Sequence, residues 1–238
     1  MNTVNYLALD ASTEACSVAL QVNDSVYSNF ELCPQSHSLR LLPMVDALLK
    51  EAGIELSDLD GLIFGQGPGS FTGVRIGVGV AQGLAFSANL PVVGVSSLQA
   101  MAQTAFTKHG EQQVISTIDA RMSEVYNGYY QLDENNIMQA QCDEAVLPPE
   151  HLAEHLASLV NKPVYGVGTG WDAYSDKLSE QFSSLISNQG ELDILFPSAQ
   201  AMLDIGKVLL EQGQGVSAEQ AQPVYVRDTV SWKKLPGR

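Results

Sequence analysis

Apolar residues dominate VNYLALD near the start of the chain, a run that reads as a buried strand ending at Asp10. A polar turn, ASTEA, follows, and then CSVALQV and SVYSNFEL read as two further strands that complete an antiparallel meander. From Ser36 the period becomes helical: Leu39, Leu42, Val45, Leu48 and Leu49 share one stripe, which Gly53 closes. GLIFG predicts a short buried strand, Thr72 to about Ala88 a helix, PVVGV another strand, and Ser97 to about Thr107 another helix.

The second half opens the same way. VISTIDARMSEVYNGYYQL predicts strand, Asp119, short polar turn and strand, and Leu9-Asp10-Ala11 is matched by Ile118-Asp119-Ala120. A third strand over IMQAQCDEAV, a helix from near Pro149, a strand at VYGVG, and helices near 172–184 and 198–211 complete the series. The pattern predicts a duplicated α/β fold of two βββαβα-type halves, 1–108 and 109–238, meeting at the polar loop KHGEQQ.

Composition narrows the class. With 45% hydrophobic and 16% charged residues, the 238-residue chain has the apolar material for a packed core. No apolar run approaches the roughly 20 residues of a bilayer span, and MNTVNYLALD lacks the basic start and apolar block of a secretory signal. Cys16, Cys33 and Cys142 are odd in number and outside any CxxC pair, which suits a reducing cytoplasm. A net charge of −15, from 27 acidic and 12 basic residues, opposes an independent grip on nucleic acid. The local basic cluster, Lys233, Lys234 and Arg238 around Trp232, reads as a solubilising tail.

The glycine-rich stretch FGQGPGSFTGVRIG, residues 64–77, raises the question of a phosphate cradle. No lysine lies between Lys50 and Lys108, which excludes a Walker loop, and Ser70 and Thr72 stand where a dinucleotide fingerprint needs glycine. Thr72 also breaks a GxSxG nucleophile elbow around Ser70. Gly73, Gly77, Gly79 and Gly83 instead recur along a predicted helix, where each costs about 1 kcal/mol relative to alanine. Close approach of another helix, from this fold or from a second chain, would offset that cost. Asp10 and Asp119 could face one another across a cleft and hold Mg²⁺ or phosphates, with Ser12, Thr13 and Glu14 nearby; alternatively they stabilise their own turns. His151 and His155 share a helix face without a third ligand and read as solvated. His37, in the first turn of its helix, could cap or meet a partner.

Together, LIFGQ, GPGSFTGVRIG, SHSLRLLPMVDALL, LALDASTEACSVAL, IDARMSEVYNGYY and PVYVRD resemble the TsaB (YeaZ) family of bacterial proteins over nearly the whole chain. The resemblance implies the duplicated actin-like (ASKHA, ribonuclease H-like) architecture. It also implies a part in making N6-threonylcarbamoyladenosine at the adenosine beside the anticodon of tRNAs reading codons that begin with A. The implied partners are TsaD, which carries the catalytic site, and the ATPase TsaE. Self-pairing as a homodimer is expected in their absence, and tRNA contact mainly through the complex. Pairing is expected through the first two helices, about 36–52 and 72–88, with His37, Leu41, Val45, Gly73, Arg75, Ile76, Gly77, Val80 and Gly83 at the interface. The HxxxH metal ligands of the catalytic relative fall here on Ser97 and Met101, poor replacements for paired imidazoles. The expectation is therefore an accessory subunit with no catalytic residues and no metal set. Asp10, Ser12, Thr13, Asp119, Gly166, Gly168 and Gly170 stand where actin-like relatives contact nucleotide. ATP and Mg²⁺ are expected at most in the complex, with no cofactor on the isolated chain. The competing class is a free-standing actin-like enzyme, either an ATP-dependent phosphotransferase or a glycoprotease-like metallopeptidase.

Overall fold

A computed structural model describes residues 4–188 and 192–227; the basic cluster around Trp232 lies outside the described residues. Strands β1 (Asn5–Asp10), β2 (Ala15–Val22) and β3 (Ser25–Leu32) form the antiparallel meander. Strands β4 (Gly61–Gly67) and β5 (Val92–Ser96) add parallel to β1 on its other side, giving the order β3-β2-β1-β4-β5. Helices α1 (His37–Ala52), α2 (Phe71–Ala88) and α3 (Ser97–His109) connect and follow these strands.

Local chemistry sets the helix ends. Gly53 takes a left-handed φ of 70° to close α1, Ser70 Oγ accepts the Gly73 amide at 3.3 Å to open α2, and Ser96 Oγ accepts the Leu98 amide at 3.1 Å to open α3. The alternation of β1 divides its side chains between two cores. Leu7 and Leu9 face α1 and α2 with Leu41, Val45, Leu48, Val74 and Val78, whereas Tyr6 and Ala8 face the opposite way.

The second sheet repeats the plan. Strands β6 (Gln113–Asp119), β7 (Val125–Leu132) and β8 (Met138–Ala140) are an antiparallel meander, and β9 (Ala145–Leu147) also pairs with β7. After the short helix α4 (Leu152–Leu156), β10 (Tyr165–Val167) pairs parallel with β6, where β4 pairs with β1 in the first sheet. Helices α5 (Thr169–Ala173), α6 (Ser175–Gln181) and α7 (Ala199–Glu211) follow. Among the described residues the second sheet has no counterpart of β5; a single bridge, Val164 to Ile186, lies in that direction. The molecule is a duplicated α/β fold of the actin-like (ASKHA) class.

Four expectations change. The strand expected over IMQAQCDEAV is split, because residues 141–144 turn aside and seat the Glu144 carboxyl on the hydroxyls of Ser96 and Tyr130. The helix expected near 172–184 begins at Thr169 and is broken into α5 and α6 at Tyr174. On α1 the buried row is Leu41, Met44, Val45 and Leu48, a true i, i+3, i+4, i+7 set, so Leu39 and Leu42 are exposed. Finally, α7 does not stay with the second half. Its Ala199, Met202, Leu203 and Ile205 cover Tyr6, Ala8, Ile63, Val93 and Val95 of the first sheet. Gly206 permits this approach, since a Cβ there would lie 2.4 Å from Ile63. The division at residues 108–113 thus separates two sheets, while residues 199–224 return to the first and Arg227 reaches back to Ala120 and Glu124 of the second half.

Candidate functional site

The two Asp turns share one local design. Asp10 Oδ1 accepts the amide of Ser12 and Asp119 Oδ1 accepts the amide of Arg121, each at 3.0 Å and each two residues on. Both carboxylates therefore stabilise their own turns. Their surroundings differ sharply. Asp10, Ser12 and Thr13 are buried, and the glycine-rich loop lies directly over them. The Ser70 amide donates to Ser12 O at 2.7 Å. A Cβ on Gly65 would fall 1.8 Å from Asp10 Oδ2, one on Gly69 2.1 Å from Ser12 O, and one on Gly73 2.2 Å from Ala11 O. These glycines exist so that β4, the loop and α2 can lie on the β1–β2 turn. Asp10 Oδ2 has no hydrogen-bond partner among the described residues, and desolvation pushes the carboxyl up to about 7 against the two Ser12 hydrogen bonds that lower it.

Asp119 remains partly accessible. Its Oδ2 pairs with Arg121 at 3.0 Å, and Arg121 reaches across to Glu14 at 3.2 Å, joining the two turns. Gly166, Gly168 and Gly170 serve packing. Their Cβ atoms would meet Trp171 at 2.6 Å, Thr117 O at 2.0 Å and Thr117 Oγ1 at 2.5 Å, and Gly168 has φ 101°. The structure thus brings Asp10 and Asp119 to one side of the molecule but leaves the first of them no open face. Ser97 and Met101 are fully buried, with Ser97 Oγ donating to Ser12 Oγ at 2.8 Å. His151 and His155 are exposed, and His151 lies 3.6 Å from Glu154.

The helices have two unlike sides. His37, Leu41, Val45, Gly73 and Gly77 are buried within this chain. Their sides of α1 and α2 are those turned to the sheet. The opposite side carries an open groove of about 520 Å³ lined by Leu42, Arg75, Ile76, Gly79, Val80, Gly83 and Leu84. A Cβ on Gly79 or Gly83 would meet nothing within 4 Å, so these two glycines form a flat, accessible floor. Arg75 closes one end, its guanidinium 3.3 Å from the Phe71 ring centroid and 5.3 Å from that of Tyr225. Leu42, Gly79 and Leu84 were not among the interface residues expected from the sequence. The signal for Leu42 lay in the α1 stripe, whose outer leucines could not share the sheet-facing row, and that for Gly79 in the glycine spacing of α2.

A family model described as TsaD, tRNA N6-adenosine threonylcarbamoyltransferase, matches residues 29–232. An Escherichia coli protein named tRNA threonylcarbamoyladenosine biosynthesis protein TsaB is 50% identical over 99% of this chain and 100% of its own length. A Haemophilus influenzae protein of the same name is 44% identical over the full length of both. The chain belongs to the TsaB (YeaZ) family. Its fold agrees with that of YeaZ from Pseudomonas aeruginosa, at a TM-score of 0.83 with 46% identity over 93% of this chain and 99% of that one. A second Pseudomonas aeruginosa structure, described as similar to peptidase YeaZ, gives 0.84 with 46% identity over 94% and 100%. Among the described residues, no helix is long and apolar enough to cross a membrane.

Proposed function

We propose that this chain is the accessory subunit of a TsaD-type transferase in N6-threonylcarbamoyladenosine formation on tRNA, with TsaE as the third component. The observation that carries this reading is the α1/α2 groove. Its apolar walls and two-glycine floor are open to solvent, a combination suited to receiving the helices of another chain. The same face would support self-pairing when TsaD is absent. The cytoplasm is the compartment this role requires. Burial of Ser97 and Met101, where the catalytic relative has histidines, supports a chain without a transferase centre. The acidic balance of 27 to 12 supports leaving the tRNA to partners.

The test is threonylcarbamoyladenosine formation on unmodified tRNA, measured by mass spectrometry of digested nucleosides. TsaD, TsaE, threonylcarbamoyl-adenylate and ATP are supplied with and without this chain, and this chain is also supplied without TsaD. Product only when both TsaD and this chain are present is expected. Product from this chain without TsaD would overturn the accessory role and favour the free-standing enzyme.

A further inference from the structure

Cys16 and Cys33 are 17 residues apart in sequence, and the sequence reading found no metal set. The β2–β3 hairpin changes this. Its register places Cys16 opposite Glu31, so Cys33, just beyond the end of β3, falls diagonally beside Cys16. Four residues later α1 begins at His37. The two sulfurs and one imidazole nitrogen lie within 4.8 Å of one another, and all three side chains are buried. Among the described residues this is the one group of three His, Cys, Asp or Glu ligand atoms so gathered.

The imidazole has a second feature. His37 Nε2 lies 2.7 Å from Thr13 O. A carbonyl can only accept, so Nε2 carries a proton, and in the neutral ring Nδ1 carries the lone pair. Holding a ligand histidine by hydrogen-bonding its other nitrogen to a backbone carbonyl is the usual outer support of a metal site. From these observations we propose that Cys16, Cys33 and His37 form a zinc site.

The chemistry of the trio selects the ion. Two thiolates and one neutral imidazole suit a borderline-soft cation and not Mg²⁺ or Ca²⁺. With Zn²⁺ the two thiolates give a site of zero net charge, the state that burial penalises least. Ligand distances of about 2.3 Å for sulfur and about 2.0 Å for nitrogen imply ligand atoms roughly 3.5–3.8 Å apart. The trio would contract by at most about 1.3 Å to reach these separations. Three protein ligands leave a fourth position for water. Zinc binds thiolates, so binding displaces the proton of each thiol and releases two protons for each ion. The bound ion would fasten the β2–β3 hairpin and the first turn of α1 to the turn at Thr13.

Co²⁺, which reports tetrahedral thiolate ligation through its absorption, is the probe. The full chain is purified under reducing conditions, stripped with a chelator and titrated anaerobically. One equivalent of Co²⁺ should develop thiolate-to-cobalt charge-transfer absorption, release two protons and be displaced by Zn²⁺. Cys33→Ser and His37→Gln should lose at least tenfold in affinity with an unchanged circular dichroism spectrum, while Cys142→Ser should bind as the native chain does. Absence of the band in the native chain would overturn the site, as would its survival in Cys33→Ser. An intact mass showing a Cys16–Cys33 disulfide in protein from a reducing cell would overturn it too. Should the variants fail to fold, the native chain decides alone: Zn²⁺ must raise its Tm over the chelator-treated form, and no shift refutes the proposal.

Discussion

Gly73 and Gly79 sit on one helix and answer to opposite demands. A Cβ at Gly73 would meet the backbone oxygen of Ala11 at 2.2 Å, and that oxygen belongs to a buried turn that cannot retreat. Gly73→Ala should therefore cost about 1–3 kcal/mol, the range of overpacked cores. Gly79 has nothing within 4 Å, so Gly79→Ala should gain about 0.5–1 kcal/mol from helix propensity alone. Urea denaturation of both variants checks the pair, and equal effects would refute this division of α2. Asp10 gives a second residue-scale prediction. Its carboxyl titrates at 3.8 when unfolded and about 7 when folded, so between these pH values the folded state holds more proton. Its contribution to stability then falls as pH rises from about 4 to 7, reaching at most roughly 4 kcal/mol. Asp10→Asn should gain stability relative to the native chain as pH rises through that window. Chelator-treated protein unfolded in urea at pH 5 and pH 8 measures the difference, and a difference independent of pH would show that Asp10 ionises without penalty.

At the scale of elements, most strands and the three helices of the first half were legible because their apolar periods are set by burial on a sheet. What the sequence concealed were positions where one residue serves two surfaces. The stripe Leu39, Leu42, Val45, Leu48, Leu49 mixes the sheet-facing row of α1 with its outer row, and only packing separates Leu41, Met44 and Val45 from the exposed leucines. The α2 glycines show the same ambiguity: spacing marks small residues but not which side they face. The Cys16, Cys33 and His37 cluster was hidden because it depends on hairpin register, which CxxC arithmetic does not consider. The outer row makes its own prediction. Gly83→Trp fills the groove floor, and Leu42→Glu places a charge on its wall. Each should weaken binding to TsaD, and any self-pairing, by at least about 30-fold, the loss typical of a central interface position. Neither should lower the monomer's Tm, because Gly83 and Leu42 lie outside the core. Sedimentation and a binding titration with TsaD test this together; unchanged affinity in both variants would remove the groove from the interface.

Across the whole molecule, the two halves are tied where the Asp10 and Asp119 turns approach one another. Arg121 spans from Asp119 to Glu14. The segment after α7 crosses the same region, with the Val224 amide on Gln66 O at 2.8 Å and Arg227 Nη1 on Ala120 O at 3.2 Å. This strap gives residues 223–227 a structural task. Arg227→Ala should let the halves open, seen as faster amide exchange in β6 and the turn at 120–124 with little change in global stability. The closure also bears on nucleotide. In the first turn, the Ser12 amide is taken by Asp10, its carbonyl by Ser70, and its hydroxyl by Ser97. A phosphate arriving there would have to displace the glycine-rich loop and break these bonds at once. In the second turn, the Arg121 guanidinium is already paired on both sides. The isolated chain should therefore show no saturable heat with ATP and Mg²⁺ at millimolar concentration, measured by isothermal titration. Micromolar binding would mean that the loop over residues 67–70 leaves the turn readily, and the glycines would then serve as a hinge and not as a fixed packing surface.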